Sequence, residues 1–126
     1  MSHEPAAEPT YTLYRRGLEL LEDGDFEDAT EPLAEAARRA PEKASVREAL
    51  GRAYYRAGRF AQAAVEFEAV VESHHVDDYA HFCLGRALSH TGETKRARHH
   101  LALASNLRPD RSDYRYYRRL LETGAF

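Results

Sequence analysis

Histidine and cysteine are the residues whose chemistry would support a metal site or a nucleophile in this sequence. The chain has seven histidines and one cysteine, and four of the histidines form the adjacent pairs His74–His75 and His99–His100. Neighbouring side chains on a helix point about 100° apart, so they do not readily chelate one ion together. The sequence also lacks an HExxH motif and a Cys/His zinc spacing. We therefore expect no metal and no cofactor.

Cys83 lies between Phe82 and Leu84, which favours a small buried apolar side chain over a nucleophile. No catalytic constellation can be assembled around it, so we expect a protein that is not an enzyme. One cysteine excludes an internal disulfide. The opening residues "MSHEPAAEPT" resemble no signal peptide, and no apolar run is long enough to cross a bilayer. These features predict a cytoplasmic protein with no membrane contact.

The segment "DYRYYRRLL" (113–121) interleaves tyrosine and arginine, as nucleic-acid surfaces do. Its tyrosines, however, lie on the apolar stripe that a helix here would bury, and the net charge of the chain is −3. Nucleic-acid binding is therefore disfavoured and stays only as an alternative.

Charge is distributed unevenly along the chain. The net charge is −6 for residues 1–43, −2 for residues 44–85 and +5 for residues 86–126. Opposite charges at the two ends would favour self-association of an acidic end with a basic end. A self-associating structural or assembly protein, a homo-oligomer, is therefore a second alternative.

A 34-residue period in the sequence indicates which secondary-structure elements position these side chains. The tetrapeptide "LGRA" occurs at residues 50–53 and again at 84–87. Three further series share the spacing: Gly17, Gly51 and Gly85; Gly24, Gly58 and Gly92; and Ala29, Ala63 and Ala97. A fixed period of this size is typical of repeat proteins.

Each repeat is predicted to form two helices. Apolar and small residues recur at helical spacing on both sides of a turn glycine, which can adopt the left-handed conformation that ends a helix. The first glycine series falls inside a helix, where glycine costs about 1 kcal/mol relative to alanine. We expect each of these glycines to face Ala29, Ala63 or Ala97 and to let the two helix backbones approach closely.

These units resemble tetratricopeptide repeats, whose 34-residue pattern has a small residue at position 8, a turn glycine, an aromatic at 17, alanine at 20 and proline at 32. With repeats at 10–43, 44–77 and 78–111, position 17 holds Phe26, Phe60 and Thr94. Position 4 departs from the pattern with Arg47 and His81. The resemblance implies an all-α solenoid, a right-handed superhelix of three antiparallel helix pairs.

The boundaries of the repeats also follow from the sequence. Residues 1–9 contain two prolines and no periodicity, so we expect a disordered tail. Ser45 and Glu48 form a capping-box signal for the second repeat, and Ser112 is expected to cap a last helix. Residues 112–126 are predicted to form a capping helix over the end of the array.

The resemblance also implies that the first helix of each repeat lines a concave groove. Carried over by position, the groove residues are Tyr11, Tyr14, Leu18, Glu48, Arg52, Tyr55, Arg56, Tyr79, Phe82, Arg86, His90 and Tyr116.

This set predicts a protein-interaction module, an adaptor or scaffold that binds an acidic peptide or partner segment with aromatic or aliphatic side chains. The alternative is a solvated face in which Glu48 and Arg52 pair with each other while Tyr11 and Tyr14 pack into the core. Relatives that bind chaperone C-terminal tails resemble each other in a Lys and Asn clamp. Because that clamp's positions hold Tyr14, Leu18, Ala49, Tyr79 and Cys83 here, chaperone tails are disfavoured.

Overall fold

A computed structural model describes residues 8–124, and every regular element in that range is an α-helix. The helices are α1 (Thr10–Glu22), α2 (Phe26–Arg39), α3 (Ala44–Arg56), α4 (Phe60–Ser73), α5 (Asp78–His90), α6 (Thr94–Leu107) and α7 (Ser112–Glu122). Turns of three residues (23–25, 57–59 and 91–93) join the helices of each pair, which forces antiparallel packing.

The turn glycines end the first helix of each pair as predicted. Gly24, Gly58 and Gly92 have φ angles of +83°, +80° and +83°. A Cβ atom added at any of the three would have no atom within 4 Å. The left-handed backbone, rather than a lack of space, is therefore what requires glycine at these turns.

The glycines inside the helices are required by space. A Cβ at Gly51 would lie 2.8 Å from Cζ of Phe67, and a Cβ at Gly17 would lie 2.3 Å from Cγ of Leu33. These glycines were predicted to face Ala29, Ala63 and Ala97; the nearest atoms belong to another side chain, although the Ala97 carbonyl oxygen lies 3.2 Å from a Cβ placed at Gly85. Each glycine leaves a hole that is filled by the large side chain four residues after the alanine, which is Leu101 in the third repeat.

The helix array is curved. Each helix packs against its neighbours in the chain, and the backbones of α1, α3, α5 and α7 also approach one another in succession, whereas no Cα atoms of α2, α4 and α6 come within 8 Å of one another. Long side chains bridge that wider gap, as Arg96 of α6 does with Glu68 of α4. The odd-numbered helices therefore form the inner, concave side. The expected all-α solenoid of helix pairs is confirmed.

Two clusters of buried side chains form the core. One joins α1, α2 and α3, the other joins α4 to α7, and Tyr54 packs against both. The last helix closes the second cluster. Tyr114 of α7 is fully buried, its ring lies 4.6 Å from that of Phe82, and its hydroxyl donates to Asp78 at 2.7 Å.

The unusual residues at position 4 have partners across their own helix pair. Arg47 forms an ion pair with Glu66 at 3.2 Å. In the next repeat, His81 and His100 are buried with their Nδ1 atoms 3.0 Å apart. In both pairs the two residues are 19 positions apart. The same place between the two helices is therefore filled by an ion pair in the second repeat and by two imidazole rings in the third.

Two capping predictions were wrong. Helix α3 begins at Ala44 and α7 begins at Ser112, so Ser45 and Ser112 lie inside the first turns and make no capping hydrogen bond. The Lys43 carbonyl accepts hydrogen bonds from the N–H groups of Val46 at 3.2 Å and Arg47 at 3.3 Å, which are the first backbone bonds of α3. The side-chain cap occurs at α5, where Asp77 accepts a bond from the N–H of Ala80 at 3.0 Å.

The chain ends extend beyond what the structure describes. Residues 1–7 of the expected tail and residues 125–126 of the expected capping segment lie outside the described residues. Glu8 is described, and its carboxylate accepts a hydrogen bond from Arg16 at 2.7 Å. No helix within residues 8–124 has the length and apolarity needed to cross a membrane.

Candidate functional site

A cleft of about 350 Å³ lies at the centre of the concave surface. Its lining residues are Leu21, Phe26, Arg52, Tyr55, Arg56, Phe67, Tyr79, Cys83 and Arg86. Buried Phe67 and Cys83 form the apolar part, and the arginines of α3 and α5 supply the charge. We call this feature the central cleft.

Arg86 of α5 is surrounded by aromatic rings. Its guanidinium carbon lies 4.7 Å from the ring centre of Tyr55, 4.5 Å from that of Tyr117 and 5.5 Å from that of Phe82. The Nε atom is buried and has no hydrogen-bond partner among the described residues. Cation–π contacts with three rings hold this side chain in one position without neutralising its charge.

Arg52 and Arg56 of α3 are more exposed than Arg86. The Arg56 guanidinium lies over the ring of Phe26, 4.3 Å from its centre. Within residues 8–124, neither Arg52, Arg56 nor Arg86 forms an ion pair.

Most arginines outside the cleft do have acidic partners. Examples are Arg59 with Glu27 at 2.9 Å and Arg96 with Glu68. The central cleft therefore concentrates positive charge that the described residues do not neutralise.

An aromatic group closes the cleft at the C-terminal ends of α3 and α5. The Tyr55 hydroxyl and His90 Nε2 are 3.2 Å apart, and the His90 ring stacks on Phe60 with 4.0 Å between ring centres. Burial and the nearby charge of Arg86 lower the pKa of His90. The neutral form of His90 is therefore favoured beside this cationic cleft.

The opposite edge of the groove is acidic. Burial raises the pKa of Glu48, and the charges of Asp77 and Asp78 raise it further. Glu48 and Arg52 are not within ion-pair distance, although the charge of Arg52 opposes the rise in pKa. The groove thus has carboxylates near the start of α3 and α5 and guanidinium groups nearer their ends.

Cys83 is buried, as predicted, and faces the central cleft. Burial raises the pKa of its thiol to about 12. Burial also raises the pKa of neighbouring Tyr79. A thiol with so high a pKa carries almost no thiolate at neutral pH, so it adds apolar surface rather than reactivity.

The other predicted groove residues lie apart from the cleft. Tyr14 and Leu18 are half-buried and line a smaller depression with Glu48 and Arg52. Tyr11 is 69% exposed and does not enter the core. Phe82 is buried beside Arg86, and Tyr116 is exposed on α7.

Sequence reasoning missed three aromatic residues of this region: Phe26, Phe67 and Tyr117. The first two belong to second helices, which the resemblance does not place in the groove. Tyr117 was assigned to the apolar stripe of the capping helix. Helical spacing indicates which face of the helix is buried but not that this ring contacts Arg86.

The histidines and the basic segment that the sequence singled out lie as follows. In residues 8–124, no three His, Cys, Asp or Glu side chains are grouped as metal ligands. Several arginines of the basic segment are engaged by acidic neighbours, among them Arg111 with Asp113 and Arg118 with Glu122.

The family follows from the sequence and the fold together. A family model described as "Tetratricopeptide repeat" matches residues 20–83, just over half of the chain. The chain belongs to the tetratricopeptide repeat family. Membership indicates a protein-interaction module in general terms and points to no enzyme family.

Several solved structures have the same fold. The first TPR of Spaghetti (RPAP3), bound to the HSP90 peptide SRMEEVD, has a TM-score of 0.85 and 16% identity, with 92% of each chain covered. The first TPR domain of human RPAP3 has a TM-score of 0.81 and 17% identity, with 90% of each chain covered.

MamA from Desulfovibrio magneticus RS-1 has a TM-score of 0.88 and 20% identity, and the match covers 93% of this chain and 66% of that one. No curated protein matches the sequence significantly. At these identities, the structural neighbours define the fold of this TPR chain but not its ligand.

Proposed function

We propose that this TPR chain is a cytoplasmic adaptor that binds an extended acidic segment of a partner protein in its concave groove. The observation that carries the proposal is the central cleft, in which Arg52, Arg56 and Arg86 have no acidic partner among the described residues. Groups with unmatched charge at a concave surface favour a ligand of opposite charge. The aromatic walls would accept aromatic or aliphatic side chains of the same segment.

The size of the cleft supports a peptide as the ligand. About 350 Å³ holds one or two side chains. Flanking residues of an extended segment would lie along α1, α3 and α5, where Tyr14, Leu18 and Tyr79 are half-buried. The neighbour with the peptide SRMEEVD has a similar fold, so an array of this length can present a groove to an acidic peptide.

A binding experiment tests the proposal directly. The probe is a fluorescein-labelled peptide of alternating glutamate and phenylalanine, and fluorescence anisotropy measures its affinity. A peptide with lysine in place of glutamate is the control ligand. We expect measurable binding of the glutamate peptide only, and we expect Arg52→Glu/Arg86→Glu to abolish it.

The matched control variant is Arg98→Glu/Arg119→Glu. It makes the same change in net charge at two exposed arginines outside the cleft. Circular dichroism verifies that both double variants keep their helices. Equal binding of the two peptides by wild type, or unchanged binding by the Arg52/Arg86 variant, would refute the proposal.

The C-terminus of the peptide tests the expectation about chaperone tails. Because the Lys and Asn clamp positions hold other residues here, binding should not depend on a terminal carboxylate. The peptide SRMEEVD with a free C-terminus and its amidated form should therefore bind with the same affinity. A strong preference for the free form would contradict this expectation.

A further inference from the structure

The three arginines of the central cleft are not equivalent. Arg86 packs against Tyr55 from α3, Tyr117 from α7 and Phe82 from its own helix. Arg56 meets one ring, that of Phe26, and Arg52 meets none within the described residues. Only Arg86 is therefore held from several sides before a ligand arrives.

This packing determines which part of Arg86 can meet a ligand. The three rings pack around the guanidinium group, and the Tyr55 hydroxyl also accepts a hydrogen bond from it, so a ligand can use only the N–H groups that these contacts leave. Arg86 lines the central cleft, and its Nε is buried with no hydrogen-bond partner among residues 8–124. A fixed guanidinium edge matches the two oxygens of a carboxylate, and little side-chain entropy is lost when the pair forms.

We propose that Arg86 is the specificity-determining anchor of the groove, and that it binds a glutamate or aspartate side chain of the partner segment through paired N–H···O hydrogen bonds. Tyr117 is a positioning residue that acts through Arg86. The capping helix α7 is then part of the binding site as well as the cover of the last repeat. This inference rests on the proposed function of the groove.

Charge-preserving variants test the anchor. Lysine keeps the positive charge but has neither the planar face nor the fork of donors. We expect Arg86→Lys to weaken binding of the glutamate–phenylalanine peptide about tenfold. Arg52→Lys should weaken it less, because Arg52 contacts no ring that fixes its position.

The role of α7 is tested with Tyr117→Leu and Tyr117→Phe. The leucine variant should lose about fivefold in affinity, and the phenylalanine variant, which keeps the ring, should recover most of that loss. Tyr114→Phe is the matched control, since it removes the hydrogen bond from α7 to Asp78 without touching the ring contacts of Arg86. Adding Tyr117→Leu to Arg86→Lys should cause little further loss.

These outcomes separate the inference from the proposed function. If Arg52→Glu/Arg86→Glu abolishes binding but Arg86→Lys binds like wild type, positive charge alone is sufficient for binding. The proposed role of Arg86 is then wrong, whereas the proposed adaptor function is retained. If Tyr114→Phe weakens binding as much as Tyr117→Leu, the effect of Tyr117 is only structural and its positioning role is overturned. If wild type does not distinguish the glutamate peptide from the lysine peptide, the proposed function itself fails.

Discussion

At the residue scale, the hydrogen bonds of the buried His81–His100 pair depend on which ring nitrogens carry a proton. His81 Nε2 lies 2.8 Å from the His75 carbonyl oxygen, so this nitrogen must carry a proton and donate it. The Nδ1 atom of His81 then accepts a hydrogen bond from Nδ1 of His100 at 3.0 Å. The hydrogen bond between the two rings holds only while Nδ1 of His81 is the acceptor, because a proton on that atom would place two donors face to face.

Acid should therefore destabilise the third repeat. Burial and the charges of His81, His99 and Arg96 lower the pKa of His100 from 6.5 to about 4. The unfolded chain binds a proton at His100 at a higher pH than the folded chain does, so stability falls as pH decreases from about 6.5 towards 4. The effect of this residue is at most about 3 kcal/mol.

The variant His100→Asn tests this, since an amide can donate to His81 without titrating. We expect its free energy of unfolding to change less between pH 7 and pH 4 than that of wild type, as measured by urea titration. His99→Asn is the control at the exposed neighbouring position. The same pH dependence in wild type and His100→Asn would contradict the expectation.

The two glycine series predict different costs for one substitution. Gly51→Leu would place atoms where the buried ring of Phe67 lies, and overpacking of this kind costs about 1–3 kcal/mol or more. The Cβ atom of Gly58→Leu meets no neighbour within 4 Å, but the residue must adopt a φ of +80°, which costs about 1–2 kcal/mol.

Urea unfolding monitored by circular dichroism measures both variants. Gly51→Leu should have the lower midpoint, with fewer native helices at the start of the titration. If Gly58→Leu were the less stable of the two, the close contact between Gly51 and Phe67 would not be the reason for glycine in the helix.

At the scale of elements, α7 is tied to α5 by one polar contact and by packing. The Tyr114 hydroxyl donates to Asp78 at 2.7 Å, and the ring is fully buried against the last repeat. The hydroxyl keeps its proton because burial and the hydrogen bond to Asp78 raise the pKa of Tyr114. The capping helix is thus held by Asp78, the first residue of the third repeat.

Removing this hydroxyl should loosen the capping helix. Tyr114→Phe loses a hydrogen bond to a charged group, with an expected cost of about 1–3 kcal/mol. Compared with wild type, the variant should show faster amide hydrogen exchange in α7. Exchange in α1, which lies far from this hydrogen bond, should be unchanged. Equal protection of α7 in the variant and in wild type would show that packing alone holds the helix.

At the scale of the whole molecule, charge separates the two ends of the solenoid. Residues 1–43 carry −6 and residues 86–126 carry +5. These net charges already include the ion pairs within each end, such as Arg39 with Glu35 and Arg111 with Asp113. This separation of charge supports self-association as the alternative function.

Light scattering at low and high salt tests self-association. End-to-end contacts between opposite charges would give oligomers at 20 mM NaCl that dissociate by about 500 mM, because salt screens exposed charges. A monomer at both salt concentrations would exclude this alternative.

The sequence by itself determined the repeat, its helices and its turns. A 34-residue period, glycines at fixed positions and helical spacing of apolar residues are local patterns, and local backbone preferences act on them directly. The resemblance to tetratricopeptide repeats had also assigned Arg52, Arg56 and Arg86 to the groove, and all three line the central cleft.

Only the tertiary structure decided which side chains meet. The partner of Gly51 is Phe67 rather than Ala63, His81 pairs with His100, and Tyr117 reaches Arg86, whereas the residue of α7 that had been assigned to the groove was Tyr116. These contacts depend on how two helix surfaces interlock, and the side chains involved are 16 to 31 residues apart in the sequence. Periodicity identifies the face of a helix, whereas packing between helices selects the partner on the facing helix.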